Sequence, residues 1–260
     1  MPAAWGGPRK LRFRLSEAPG ETSSSSRRLT DTRRRATPAW TIRERQEPLI
    51  DDVAPFDPAF QAALARLLAW RRDVRHFRPE PLPAGTLERL IELAALAPSV
   101  GLSQPWRFVS VETPARRAAI RAEFARCNAE ALAAQAGERQ AGYARLKLEG
   151  LDQAPDHLAV FADPATSQGH GLGRRTMPET MAYSVVMAVH TLWLAARAEG
   201  IGLGWVSILE PARVAAALDV PATWQFIGYL CLGYPMEDHE VPELERLGWE
   251  RRAPQTLLRK

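Results

Sequence analysis

Pro178-Glu179-Thr180-Met181-Ala182-Tyr183-Ser184-Val185-Val186-Met187-Ala188-Val189-His190-Thr191-Leu192-Trp193-Leu194-Ala195-Ala196-Arg197-Ala198-Glu199 has apolar residues at 182, 185, 186, 189, 192, 193 and 196. That spacing puts a wide greasy stripe on one helix face and predicts a central, buried helix. Its flanks set the fold class. Downstream, Gly200–Leu209 and Gln225–Leu232 read as strands, with Pro211–Leu218 a short helix between them. Upstream, Gly169–Arg175 is too polar and glycine-rich to pack by itself and reads as a mobile loop, a lid over whatever lies beneath. Before it, Leu158–Ala162 is strand-like and ends at the turn Asp163-Pro164. Pro114–Glu149 is a long Ala/Arg-rich helical stretch, weakened near Gly137 and Gly142, and Trp106–Val111 is a strand. Thr86–Ala97 is a helix reached by an extended bridge through Pro79, Pro81 and Pro83. Asp57-Pro58 caps and opens a further helix, whose stripe is Leu64, Leu67 and Leu68 and which the run Arg71–Arg75 ends. Helices and short strands mix without regular β-α-β alternation, so the expected class is one α+β domain.

The chain has 260 residues, 46% apolar and 25% charged, enough to bury a core and too apolar for a disordered or fibrous whole. The longest apolar stretch, Met181–Ala196, is interrupted by Ser184, His190 and Thr191 and falls short of a membrane span, so a soluble protein with no membrane partner is expected. The net charge of +4 is unevenly placed. Residues 1–45 hold eleven Lys/Arg against four Asp/Glu, a surplus of +7, which leaves 23 basic and 26 acidic residues, or −3, for the rest. A slightly acidic domain offers nucleic acid no footprint, and no nucleic-acid partner is expected. The basic stretch, with Ser23–Ser26, Arg33–Arg35 and no hydrophobic period, predicts a disordered extension over 1–45 ahead of a folded domain over 46–260. Cys127 and Cys231 stand far apart in dissimilar contexts, which fits a reducing compartment and a cytoplasmic protein.

Gly169/Gly171/Gly173 and Gly200/Gly202/Gly204 do not match G-x-G-x-x-G, and neither set opens a helix after a strand; the second reads as a helix cap running into a strand. The five histidines show no zinc spacing, so no metal is expected. Arg71-Arg72-Asp73-Val74-Arg75 is more telling. Three guanidiniums in five residues repel one another unless they share an anion, and a phosphate suits their forked donors. Asp73 among those cations is expected to stay ionised and able to take a proton. Pro98-Ser99-Val100-Gly101-Leu102-Ser103-Gln104-Pro105 brackets Ser99, Ser103 and Gln104 in a rigid loop suited to a polar heterocycle.

Three blocks in order carry a resemblance: Arg71–Arg78, Ala97–Phe108, and Gly171–Arg174 through Thr176–Thr180 to Gly204-Trp205-Val206-Ser207-Ile208-Leu209. Over roughly Phe56–Trp249 the chain resembles the nitroreductase-like flavoproteins and, within them, the branch of 5,6-dimethylbenzimidazole synthases. The resemblance implies a sandwich with a mostly antiparallel central sheet flanked by helices, and a homodimer whose two chains jointly enclose FMN. It implies consumption of reduced FMN and O2, supplied by a separate flavin reductase, to give the lower ligand of cobalamin. By that resemblance Arg71 and Arg72 hold the phosphate, Arg75 lies near the pyrimidine edge, and Ser99 binds the cofactor along with the rest of the run, Val74 included. Ser103 and Gln104 join them from the loop reading alone. Asp73, which these synthases share, is the expected base, and Ser207 matches a serine near the reactive face of the ring. The alternative is an NAD(P)H-dependent nitro- or quinone reductase. The broad family often has Asn where this chain has Leu102, a departure that weakens that alternative.

Overall fold

Two largely buried strands form the middle of a sheet: β2, Asp156–Ala162, and β4, Gln225–Gly233, pair antiparallel. The edges are β1, Trp106–Ser110, and β3, Gly202–Val206, giving the order β1-β2-β4-β3 with every pair antiparallel. The structure, a computed structural model, describes residues 55–260. The expected extension over 1–45 lies outside the described residues, as do residues 46–54.

Because side chains alternate along a strand, the sheet feeds two cores. Ala159, Phe161, Tyr229 and Cys231 meet Ile120 and Phe124 of α3 (Pro114–Ala133) and Val214, Ala215 and Leu218 of α6 (Pro211–Leu218). Leu158, Val160, Leu230 and Leu232 meet Leu90 and Ala94 of α2 (Thr86–Ala94) and Val185, Val189, Leu192 and Ala196 of α5 (Thr180–Ala198). Each Leu, Ile, Val or Phe among them, removed fully from water, contributes about 1.5–3 kcal/mol. The result is the expected helix-flanked sandwich.

Several boundaries differ from the sequence reading, each for a local reason. The second helix stops at Ala94; Ala95–Ala97 continue as turns because Pro98 disfavours helical backbone before it. The stretch 114–149 is two helices, α3 and α4 (Gly137–Ala144), separated at Ala134–Ala136 and restarted on Gly137 at φ +59°. The α1 helix (Pro58–Trp70) is capped as expected, Asp57 Oδ1 accepting from Phe60 N–H at 2.7 Å, but its stripe is not buried. Leu64 and Leu68 remain 41% and 46% exposed, in line with Phe60 and the Phe56 ring stacked on it. On α5 the buried positions are 181, 184, 185, 188, 189, 192 and 196, so Tyr183, Val186 and Met187 form an exposed apolar face. By length and composition α5 could cross a membrane, yet one face closes the sheet.

His157 is the polar member of the core. Its Nδ1 lies 2.9 Å from Tyr229 Oη and its Nε2 3.1 Å from Ala154 O, and desolvation drops its pKa to about 4. The folded ring is therefore neutral, whereas the unfolded ring protonates below the ordinary value of about 6.5. Stability is undiminished above that pH and falls as pH drops toward 4, by about 2 kcal/mol between pH 7 and pH 5 from this group alone. Urea unfolding at the two pH values measures the loss, and His157→Gln is expected to flatten it.

Candidate functional site

The Arg71–Arg75 run lies along the edge of the sheet beside β3. Val74 N–H donates to Leu203 O at 3.1 Å and Trp205 N–H to Asp73 Oδ1 at 2.8 Å. Two glycines allow that approach: a Cβ at 204 would stand 2.1 Å from Val74 O, and one at 202 would stand 2.9 Å from Val74 Cγ2. The sequence reading of Gly200/Gly202/Gly204 holds for Gly200, which ends α5 at φ +75°, and misses the close backbone contact at the other two.

After β4 the chain returns across the same run. Arg78 N–H donates to Tyr234 O (2.8 Å), Met236 N–H to His76 O (3.0 Å) and Arg72 Nε to Glu240 O (2.7 Å). Between run and return lies a narrow cleft lined by Arg72, Asp73, Arg75, Trp193, His239 and Glu243 among others. Trp193, from α5, fixes the run from below: its Nε1–H donates to Arg72 O at 3.1 Å, and the Arg71 guanidinium lies over its ring at 4.6 Å. The Arg72 pKa is lowered, by burial first and then by the neighbouring charges of Arg252 and Arg71. Arg71 and Arg252 thus bring their charge to Arg72, whose guanidinium donates to Glu240 O and Arg71 O.

For Arg75 the correction concerns the shared anion alone, and not its expected place at a pyrimidine edge. The Arg75 Nε donates to Asp73 Oδ2 at 2.9 Å, its Nη1 to Lys147 O at 2.9 Å, and Glu243 stands 3.7 Å away, so its anions are inside the protein. Asp73 is a second correction. Burial pushes its pKa up, outweighing the pull of Arg75 and of the Trp205 N–H, and Glu243 adds to the rise. The three arginines were expected to favour the ionised form, but one of them, Arg75, pairs with the carboxylate among the described residues. Asp73 keeps 30% of its side chain exposed and so remains reachable from the cleft. Ser207 is exposed, one residue past the end of β3. Val74 turns its side chain toward Gly202 and contributes backbone to the site.

The Ser99–Gln104 loop is built elsewhere. Val100 N–H donates to Ser184 Oγ at 3.0 Å, Ser99 Oγ accepts from Gln104 N–H at 3.1 Å, and Ser103, buried, turns its hydroxyl to Met181 Sδ at 3.7 Å. Ser103 therefore faces α5 and not the loop's outer surface. Gln104, at φ +41°, has Oε1 accepting from Gln168 Nε2 at 2.9 Å. The glycine-rich segment expected to be a mobile lid interlocks with this loop: a Cβ on Gly169 would lie 2.3 Å from Gly101 O, and one on Gly173 would lie 2.7 Å from Val100 Cγ2. Ser184 and Trp193 are nine residues apart on α5, about 13 Å of helix. One chain thus holds the two halves of the expected pocket apart, the arginines and Asp73 at one place and Ser99, Ser103 and Gln104 at another.

Trp193, Glu243 and Arg252 are site residues that sequence reasoning missed. Trp193 was counted within an apolar stripe, and the other two sit in a charged segment with no motif; only the return of the chain after β4 brings them to the run.

The chain matches the model of the Nitroreductase family over residues 68–234. It is 63% identical over 205 residues to the 5,6-dimethylbenzimidazole synthase of Rhodospirillum rubrum, covering 79% of this chain and 97% of that protein. It is 48% identical over 199 residues to that of Rhodobacter capsulatus, covering 76% and 96%. An iodotyrosine deiodinase solved with FMN and 3-iodo-L-tyrosine superposes with TM-score 0.59 at 24% identity over 76% of this chain and 97% of the other, a likeness of fold.

Proposed function

The chain belongs to the nitroreductase family, and from that premise we propose that it is an oxidoreductase making 5,6-dimethylbenzimidazole, as its relatives from R. rubrum and R. capsulatus are named for doing. Its substrates are reduced FMN and O2. The observation that carries the reading is Asp73: a carboxylate tied to the sheet edge by Trp205 N–H and to Arg75, open to the cleft, with its pKa raised by burial.

The residues present fit FMN. Burial first, and then the charges of Arg252 and Arg71, lower the proton affinity of Arg72, and a phosphate would relieve that repulsion while accepting hydrogen bonds from the arginines. When bound, reduced FMN supplies the carbon atoms of the product and O2 the oxidising power. Asp73 acts as the base for a carbon-bound proton of the ribityl chain. Each of its oxygens accepts one hydrogen bond from the protein and keeps lone pairs for that proton, and a carboxylate made more basic by burial is better matched to the work near neutral pH. Ser207 donates or accepts a hydrogen bond at the end of β3 and orients the ring system. Ser99 and Gln104 frame the ring from a loop stiffened by its interlock with Gly169–Gly173.

That loop comes from a second copy. A homodimer covers the exposed apolar faces of α5 and α1 and brings one protomer's loop to the other's arginines, uniting halves that one chain keeps apart. A flavin destroyed at each turnover cannot be regenerated in place, so a separate flavin reductase delivers it. The unpaired Cys127 and Cys231 suit a reducing cytoplasm.

Aeration of reduced FMN with the purified protein is expected to bleach the flavin irreversibly and yield a benzimidazole on chromatography. Full recovery of oxidised FMN with no new aromatic product would overturn the reading in favour of a reductase.

A further inference from the structure

We infer that Glu243 is a positioning residue for this reaction, bracing Arg75 against the Asp73 carboxylate from across the cleft. The inference rests on the reading of Asp73 as the base. Glu243 opens α7, Glu243–Arg246, directly after Pro242, on the stretch that returns over the site. Its carboxylate is 17% exposed, with Oε2 3.7 Å from Arg75 Nη1 and Oε1 3.4 Å from His76 Nε2. The Arg75 side chain, 11% exposed, then has Asp73 on one flank, Glu243 on another and Lys147 O accepting from Nη1. A guanidinium held on three sides cannot rotate, and Asp73 Oδ2 takes its direction from it.

The charge balance runs the same way. Asp73 is faced by Arg75 from its own run, by Glu243 from α7 and by the Cys231 thiol of β4, while Arg72, in the same cleft, turns its guanidinium to Glu240 O. Two carboxylates divide one guanidinium, so Arg75 neutralises Asp73 less than it would alone, and Asp73 stays basic. Removing the charge at 243 takes a negative neighbour away from Asp73 and leaves the Arg75 charge to it alone, which makes Asp73 a weaker base.

The decisive experiment is a carboxyl-carbon NMR titration of Asp73 in the flavin-free full-length protein, for wild type, Glu243→Gln and Glu243→Asp, alongside turnover and its pH profile. For Glu243→Gln the Asp73 midpoint is expected to move to lower pH by about half a unit or more, with turnover down about three- to tenfold, the acid limb of the profile shifted the same way and FMN affinity within twofold. Glu243→Asp, which keeps the charge, should recover most of both. An unmoved Asp73 midpoint, or a turnover loss that comes wholly from weakened FMN binding with an unshifted profile, overturns the inference. Absence of product with wild-type protein would instead sink the assigned reaction, and the titration would still report on Glu243.

Discussion

Replacing Asp73 by Asn is expected to cut benzimidazole formation by about 10²–10⁴ while FMN still binds, because the loss of a positioned base costs that much and little else changes. Asn is nearly isosteric. Its carbonyl oxygen can still accept from Trp205 N–H, and Arg75 keeps Lys147 O and Glu243. The arginines assigned to the phosphate, Arg71 and Arg72, are held by Trp193 and Glu240 O, neither of which involves the Asp73 carboxylate. Product chromatography gives the rate, and quenching of flavin fluorescence gives the affinity. Turnover within threefold of wild type would remove Asp73 from the chemistry, whereas parallel loss of FMN binding would make it a ligand to the cofactor.

Gly204→Ala is expected to do the greatest structural damage of any single methyl at the site. The added Cβ would stand 2.1 Å from Val74 O and 3.2 Å from Val74 C, backbone atoms that cannot swing aside. The run must therefore move off β3, weakening the Val74 N–H to Leu203 O and Trp205 N–H to Asp73 bonds together. Overpacking and two strained hydrogen bonds amount to about 3–4 kcal/mol. For a domain of this size that is a fall in Tm of about 10 °C. Turnover measured well below the new midpoint should still drop about 10²-fold, since the base is displaced by about 1 Å or more. A thermal scan within 2 °C of wild type and normal turnover would mean that the run does not need β3 to place Asp73.

Most of the secondary structure is legible along the chain because its signals are local. Pro211 at the start and Asp219 at φ +56° after the end bound α6 at both of its expected limits. Gln225–Leu232 reads as a strand because it is a short, mostly apolar run, and the structure adds a single residue to it. The run of arginines and the Pro-bracketed loop also stand out by residue type alone. The errors have a common origin in distance along the chain. Arg71, Arg72 and Arg75 look alike in sequence, yet Glu243, about 170 positions later, and Lys147 divert Arg75 to an internal role. The stripe of α1 and the outer face of α5 look like core, yet within one chain nothing covers their exposed leucines, valine and methionine among the described residues.

By itself, then, the sequence determined, within a few residues at their ends, which segments become helix and strand, and that the class is α+β. Those properties follow from periodicity, capping and residue type over a few positions. The tertiary structure alone decided the sheet order, the two-glycine contact that lays Asp73 against β3, and the sign of the Asp73 shift. A carboxyl's proton affinity depends on how much water its surroundings remove and which charges they bring near, and both come from segments far away in the chain.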